Sequence, residues 1–429
     1  MKAKRVAIKV AKKLPLVSGH FELKRLREVT THVEELHETI QKLEARNDEW
    51  AAEVRQLRGA PQTMEILWPV AKDDIIAADV RGKMHIKPAK PHKGPYVFNW
   101  VVPPVGPVSG GHMVIFRFIN FLESQGHTCR VYFYDPMNQS DFDTTKQNLK
   151  KHHVIKADLY YNAECMQDAD AHIATQWTTA YPVFNFQGVG KKFYLIQDYE
   201  TIFEPSGTYS NLADMTYKMG LHGISTTPGT SVVLERDYDI RLDTVELAVN
   251  QDEYYLTNNG KRKKVLFYAR PVTPRRGFEL GILTLELFHA EHPEYEIVLV
   301  GWDVSAYNIP FPYTNRGTIS IEELRQAYNE SVAALALSFT SISLLPVEMM
   351  ATGCQPVVNA TIYTKMVEYT DGLMYTDGTP RALADALGKA ATNPNAQEHA
   401  KELAEFSKKF TWTKTERKLM QIFDRELGL

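Results

Sequence analysis

One pattern occurs twice in this chain, and it leaves few folds open. Tyr96-Val97-Phe98-Asn99-Trp100-Val101-Val102 is an apolar run of strand length, followed by a glycine- and proline-rich loop over 103–112, helical spacing over 113–125, and a second apolar run over 128–134. A strand, a glycine loop, a helix and another strand make a βαβ unit, which requires a parallel sheet with the loop at the carboxyl ends of its strands. Further strands are expected at 171–175, 192–197 and 223–226, with this sheet ending near Val245. The pattern restarts at 264–270 and continues through a helix at 277–291, a strand at 295–301, a helix at 321–330, a strand at 333–337, a helix at Glu348 and a strand at 356–358. The expected class is α/β, with two doubly wound sheets in tandem facing a cleft, and such interfaces are preferred ligand sites. A final amphipathic helix, with Leu419, Ile422, Phe423 and Leu427 on one side, is suited to docking on a neighbouring domain.

A chain of 429 residues has room for two or three domains. With 44% hydrophobic and 24% charged residues and a net charge of −3, it reads as a soluble globular protein, neither disordered nor generally nucleic-acid binding. Cys129, Cys165 and Cys354 are odd in number, widely spaced and without a CxxC pair. They suggest neither a disulfide framework nor a zinc site, and a reducing cytoplasm fits best. No apolar run approaches the roughly 18 residues that span a bilayer, and the N-terminus lacks the apolar core of a secretion signal.

Residues 1–17 alternate lysine and arginine with aliphatics, which reads either as an amphipathic segment for an anionic surface at the inner face of the plasma membrane or as a frayed soluble tail. Leu26, Val33, Ile40, Asn47 and Val54 recur every seven residues, with Val29, Leu36, Leu43, Trp50 and Leu57 three positions on. A strict heptad of this kind predicts an N-terminal coiled-coil helix, either intermolecular, giving a homodimer through residues 26–57 with Asn47 selecting register, or an intramolecular helix packed on the rest of the chain. Pro61 ends the helix. The expected plan is a basic tail and coiled coil over 1–60, a linker or irregular lead-in over 61–95, a first sheet domain over 96–245, a second over 246–411, and a helix at 412–429 that docks back on the first.

Two segments of the second domain carry binding chemistry. Ser343 to Val358 places Glu348 at a helix start, followed by the turn at Gly353 and an apolar strand. A helix N-terminus offers unpaired backbone N–H groups to phosphate, and a carboxylate in its first turn accepts hydrogen bonds from ribose hydroxyls. The macrodipole alone also favours a glutamate there. Arg270-Pro271-Val272-Thr273-Pro274-Arg275-Arg276-Gly277 puts a basic cluster at a strand's carboxyl end, where guanidinium forks match phosphate. The sequence leaves open whether Arg275 or Arg276 faces such a ligand. The loop with Gly106, Gly110 and Gly111 does not spell GxGxxG, which disfavours a dinucleotide site.

In this order the motifs resemble those of the retaining GT-B glycosyltransferases, in particular glycosyltransferase family four, over roughly residues 96–429. The resemblance implies two Rossmann-like domains, the first for the acceptor and the second for the donor nucleotide. On it, Gly110 and Gly111 form the loop after the first strand. Arg270, Arg275 and Arg276 hold the donor diphosphate, and the turn Gly317-Thr318-Ile319 holds the base. The N–H groups around Leu345, Pro346 and Val347 face phosphate, and Glu348 meets the ribose. Two departures stand out: arginine replaces the usual lysine of the basic segment, and the first glutamate of the E-x7-E motif falls on Thr340. With that carboxylate gone and Leu344 and Leu345 beside the site, a deoxygenated hexose fits. The chain further resembles bacterial rhamnosyltransferases that use dTDP-rhamnose, which implies a lipid-linked surface glycan as acceptor. The catalytic candidates are Arg270 and Arg276 on the leaving phosphate and Asp198, which either polarises an acceptor hydroxyl, touches the sugar or caps a strand. Trp177, Tyr181 and Phe184 stack on sugar or belong to the core.

No metal or cofactor is expected. Asp141-Phe142-Asp143, Asp168-Ala169-Asp170 and Asp237-Tyr238-Asp239 share the Asp-x-Asp spelling of metal-dependent transferases but are short enough to arise by chance. His112, His127 and His222 show no ligand spacing. Two other readings remain: a sugar-nucleotide epimerase on the same fold, and a non-catalytic coiled-coil scaffold.

Overall fold

A computed structural model describes residues 66–428 except 83, 106–109, 139, 153–154, 343, 366 and 368–369, together with residues 39, 40, 42 and 46. The basic tail and nearly all of the heptad stretch, and with them the expected dimer contact, lie outside the described residues. Thr39, Ile40, Lys42 and Arg46 are helical. Residues Trp68–Leu429 form one compact unit.

That unit contains two parallel sheets. The first comprises β1 (Val97–Val102), β2 (Thr128–Phe133), β3 (Asp158–Tyr160), β4 (Ala171–Ala174), β5 (Lys191–Ile196), β6 (His222–Ser225) and β7 (Leu242–Thr244), in the order β3-β2-β1-β4-β5-β6-β7. The second comprises β8 (Lys264–Tyr268), β9 (Glu296–Val300), β10 (Thr314–Asn315), β11 (Ser331–Leu335), β12 (Gln355–Asn359) and β13 (Met374–Thr376), in the order β10-β9-β8-β11-β12-β13. Both are doubly wound. Strand order reverses between β1 and β4 in one and between β8 and β11 in the other, and open sheets of this kind bind ligands outside those carboxyl ends.

The central strands carry mostly buried apolar residues because helices cover both faces of each sheet. In β1 the exception is Asn99, whose amide is held by the Gln167 carbonyl at 2.6 Å and by His172 Nδ1 at 3.2 Å. β11 begins two residues before the expected strand. Ala336 and Leu337 leave the sheet and stay buried in the loop beyond it. The short strands β3, β10 and β13 were not expected. The helix after β1 spans Gly110–Ser124, three residues earlier than its spacing predicts.

Residues 66–95, part of the expected lead-in, are irregular apart from the helix Lys72–Ala77. They are held on the first sheet: Val70 is fully buried, Asp74 accepts from the Tyr134 hydroxyl at 2.7 Å, and Lys87 bridges to Gly190. Trp177, Tyr181 and Phe184 lie in the helix Trp177–Asn185 and are buried in a core with Ile196 and Tyr217. Their rings are therefore spent on packing, which removes the sugar-stacking expectation.

The last helix, Trp412–Leu427, crosses to the first sheet. Phe423 sits 4.7 Å from Phe98 and 5.3 Å from Phe193, ring centre to ring centre, and Arg117 lies 4.7 Å over the Trp412 ring. Thr415 donates to the Glu246 carbonyl at 2.6 Å. At the far end the buried Glu426 accepts from Arg241 at 2.6 Å and Arg425 at 2.9 Å. Among the described residues no helix is long and apolar enough to cross a membrane.

Candidate functional site

The candidate site lies at the carboxyl ends of β8 and β11, where the loop after β11 meets the end of β5. Beyond β8 the chain turns through Arg270 and a single 3-10 turn, Pro274–Arg276, and Gly277 then opens the helix Phe278–Glu291. Gly277 has φ +59°, and a Cβ there would lie 3.1 Å from the Phe339 ring and 3.3 Å from Leu337. A side chain at this position would therefore strain the backbone and push away the loop after β11. That loop is tied to the basic turn by the Phe339 N–H, which donates to the Arg275 carbonyl at 3.0 Å.

The three arginines differ. Arg276 is turned inward: its Nη1 donates to Ser338 Oγ at 3.1 Å and to the Ser341 carbonyl at 3.4 Å. Burial pushes its pKa down to about 10, against the opposing pull of Asp198. Arg275 lies across the cleft with its guanidinium 4.1 Å over the Phe203 ring, and its pKa too is lowered, mainly by burial. The Nε atoms of Arg270 and Arg275 are buried without a hydrogen-bond partner among the described residues. Donors in that state are ready to meet an anion, since leaving them unpaired is costly.

On the facing domain, Asp198 follows β5 and is 7% exposed. Its Oδ1 accepts from Tyr199 N and Ser341 N, each at 2.8 Å, and its Oδ2 accepts from Thr340 Oγ1 at 2.7 Å. Thr340, which stands where the resemblance places a glutamate, thus faces a carboxylate supplied by the other domain. Gly111, in the first turn of the Gly110–Ser124 helix, would place a Cβ 3.5 Å from the Gln197 amide, so the glycines bring that helix close to the same strand end. Behind Asp198, Glu200 is buried and accepts from Trp177 N and, at 2.9 Å, from the Tyr194 hydroxyl. Burial above all pushes its pKa up to about 8.

The helix Leu345–Ala351 follows the β11 loop. Pro346 carries no N–H, so of the three residues expected to face phosphate only Leu345 and Val347 have a backbone donor. Glu348 is 7% exposed, and its carboxyl has no hydrogen-bond partner among the described residues. Desolvation, then repulsion from Glu253, pushes its pKa up to about 8. Tyr254 and Tyr328 lie in the field of this carboxyl, and the Tyr328 hydroxyl is buried without a partner.

The expected base turn is present as geometry. Gly301 N donates to the Gly317 carbonyl at 2.7 Å, and Thr318 Oγ1 approaches the Gly301 carbonyl at 3.5 Å. Both glycines have positive φ, +102° and +58°. Ile319 packs into the core beside Tyr268.

The basic turn, the helix start at Glu348 and the turn at Gly317 fold as their sequence leads one to expect, whereas the contacts of Gln197, Phe203, Thr340 and Ser341 were not anticipated. Their partners lie on the opposite domain, and no local spacing signals them. Among the described residues no group of three or more His, Cys, Asp or Glu could hold a metal ion. The Asp-x-Asp pairs serve locally: Asp168 accepts from Val189 N, Asp170 from Val97 N, Asp141 from Thr144 N, and Asp237 pairs with Arg236.

A sequence-family profile described as "WsaF, C-terminal domain" matches residues 263–388. The O-antigen biosynthesis protein RfbC of Myxococcus xanthus is 30% identical over 309 residues, which are 69% of this chain and 24% of that protein. The chain thus spans about a quarter of the length of this relative. Among solved structures, S. aureus TarM in complex with fondaparinux, alpha-GlcNAc-glycerol and UDP superposes with a TM-score of 0.63 at 9% identity, over 77% of this chain and 100% of that one. Anabaena Alr3699/HepE in complex with UDP-glucose gives 0.60 at 13% identity, over 77% and 100%. Sucrose-phosphate synthase from Thermosynechococcus elongatus gives 0.59 at 13% identity, over 77% and 98%. At these identities the likeness is one of fold: two doubly wound domains in tandem, the GT-B architecture.

Proposed function

We propose that this protein is a glycosyltransferase of surface-glycan biosynthesis that moves a deoxyhexose, L-rhamnose from dTDP-rhamnose, with retention, onto a growing lipid-linked glycan. The observations that carry the reading lie in the segments beyond β8 and β11: buried guanidinium Nε donors on Arg270 and Arg275 and the buried carboxyl of Glu348, each without a hydrogen-bond partner among the described residues. A sugar nucleotide supplies what both lack: phosphate oxygens for the first and a pentose hydroxyl, the 3′-hydroxyl in dTDP, for the second. The O-antigen relative and the UDP and UDP-glucose complexes of the structural neighbours support this chemistry.

In this mechanism the diphosphate leaves an oxocarbenium-like centre. Arg270, Arg275, the inward-braced Arg276 and the N–H groups of Leu345 and Val347 stabilise the charge it gains. Gly317, Thr318 and Ile319 hold the base, and the loop at Gly110 and Gly111 borders the acceptor side. The leaving phosphate takes the acceptor proton on the same face of the sugar, so no second carboxylate is required. Thr340 in place of a glutamate leaves fewer acceptors for sugar hydroxyls, which favours a deoxygenated ring. Dimerisation through residues 26–57 and a peripheral membrane contact through the basic tail belong to the same proposal. Sedimentation and vesicle binding of chains starting at residues 61 and 18 test them.

The decisive experiment incubates the full chain with dTDP-, UDP- and GDP-sugars and a rhamnoside acceptor. The expected result is a rhamnosylated product with the donor's anomeric configuration by NMR. Inverted product refutes retention. Epimerised UDP-sugar without acceptor supports an epimerase instead, and absence of dTDP binding by calorimetry supports a scaffold.

A further inference from the structure

Asp198 is the one candidate whose surroundings argue against the role its position suggests. Three hydrogen bonds engage its carboxylate, one from Tyr199 in its own domain and two from Ser341 and Thr340 across the cleft. The Ser341 carbonyl in turn accepts from Ser338 Oγ at 2.8 Å and from Arg276 at 3.4 Å, while Ser341 Oγ donates to the Gln197 carbonyl at 3.3 Å. A continuous path therefore runs from a carboxylate of the first domain, through one loop of the second, to the guanidinium of Arg276. Two ring contacts close the same seam: Arg275 over Phe203, and Tyr199 stacked on Tyr363 at 5.9 Å. Gly229 approaches so closely that a Cβ would lie 2.8 Å from the Tyr363 carbonyl oxygen.

We propose that Asp198 and Thr340 form a cross-domain latch that orders the 338–341 loop on closure and thereby aims Arg276, both acting as positioning residues. A buried carboxylate is stable only where donors meet it, and here two of the three come from the other domain. Opening the cleft returns Asp198 to water and leaves Ser341 free to move. The Arg276 guanidinium then keeps Ser338, which Asn359 holds within the second domain, but loses the fixed Ser341 carbonyl. Completion of the cationic site is in this way made conditional on contact between the domains. The kinetic arm of the test rests on the glycosyl-transfer reading, and the exchange arm does not.

The test compares Thr340→Val, Thr340→Ser and Asp198→Asn in the full chain. Valine keeps the shape and removes the donor; serine keeps the donor. Asparagine retains an oxygen for Ser341 N and offers an amide N–H to the Thr340 hydroxyl. The latch predicts that Thr340→Val lowers kcat about 10- to 100-fold, the usual worth of a hydrogen bond to a charged group, with donor KM changed less than about threefold. Thr340→Ser stays within about threefold of wild type, and Asp198→Asn loses no more than Thr340→Val. Amide hydrogen exchange on Thr340→Val is expected to quicken in 196–203 and 336–342 together, since the two segments open as one. Loss confined to Asp198→Asn, with Thr340→Val active, would make Asp198 an acceptor-side base and overturn the latch. Faster exchange in 336–342 alone would overturn it as well, with or without turnover. If no sugar nucleotide is turned over by wild type, the transfer reading fails and the exchange result still decides the latch.

Discussion

Replacing Glu348 with glutamine makes the protein more stable in mild alkali and worse at holding its nucleotide. The carboxyl is 7% exposed, has no hydrogen bond among the described residues, and titrates at about 8 where an ordinary glutamate titrates at 4.5. Below about pH 4.5 the group is protonated in both folded and unfolded chains and contributes nothing to the difference between them. Between about pH 4.5 and 8 the unfolded chain releases a proton that the folded chain retains, so stability falls as pH rises. The loss is complete above about pH 8. At 1.36 kcal/mol per unit its upper limit is about 5 kcal/mol, and water entering the crevice brings it to about 2–3 kcal/mol. Glu348→Gln removes this term. Urea titrations at pH 4, 6.5 and 8.5, followed by tryptophan fluorescence, should give nearly equal midpoints at pH 4 and a higher midpoint for the variant at pH 8.5. Calorimetry with dTDP should show about 10-fold weaker binding, since an amide is a weaker acceptor than a carboxylate for the 3′-hydroxyl, the one hydroxyl that deoxyribose offers. A variant less stable than wild type at pH 8.5 would mean that the carboxylate has a partner, and the reasoning would be wrong.

Arg270→Ala should weaken dTDP binding about 10-fold while leaving the thermal midpoint almost unchanged, because its Nε has no partner to lose; calorimetry and a melting curve check both halves. Trp412→Ala should cost about 3–5 kcal/mol by denaturant titration, as a 9%-exposed indole is taken from beneath Arg117. Turnover should persist in EDTA, since guanidinium groups stand where a metal-dependent enzyme places its cation; restoration by added Mg²⁺ after loss in EDTA would refute this.

Central strands and the basic turn were readable because their cause is local. A strand buried on both faces is apolar at its centre, as Phe193–Ile196 of β5, Val265–Phe267 of β8 and Val357–Val358 of β12 are, and a βαβ unit fixes where its loop falls. Edge strands escape this rule: β3 and β10 are three and two residues long and partly exposed, so no run of apolar residues marks them. The helix at Trp177 carries Pro182 in its interior, where proline is tolerated because surrounding packing compensates. The cross-domain contacts were illegible on other grounds. Asp198 and Thr340 are 142 residues apart, and nothing near either position says that they meet. Glu348 was legible as a position, but its lack of a partner appears only once Tyr254, Tyr328 and Glu253 surround it.

The last helix has a consequence for how the chain is made. Phe98 and Phe193 belong to a sheet whose final strand ends at Thr244, yet the residue that covers them, Phe423, is synthesised only after the entire second sheet. At about 5–20 residues per second the ribosome takes roughly 10–40 s to cross that interval. Throughout it the first sheet carries an uncapped greasy flank. Chaperone dependence during translation, and aggregation of chains interrupted before Trp412, follow from that delay.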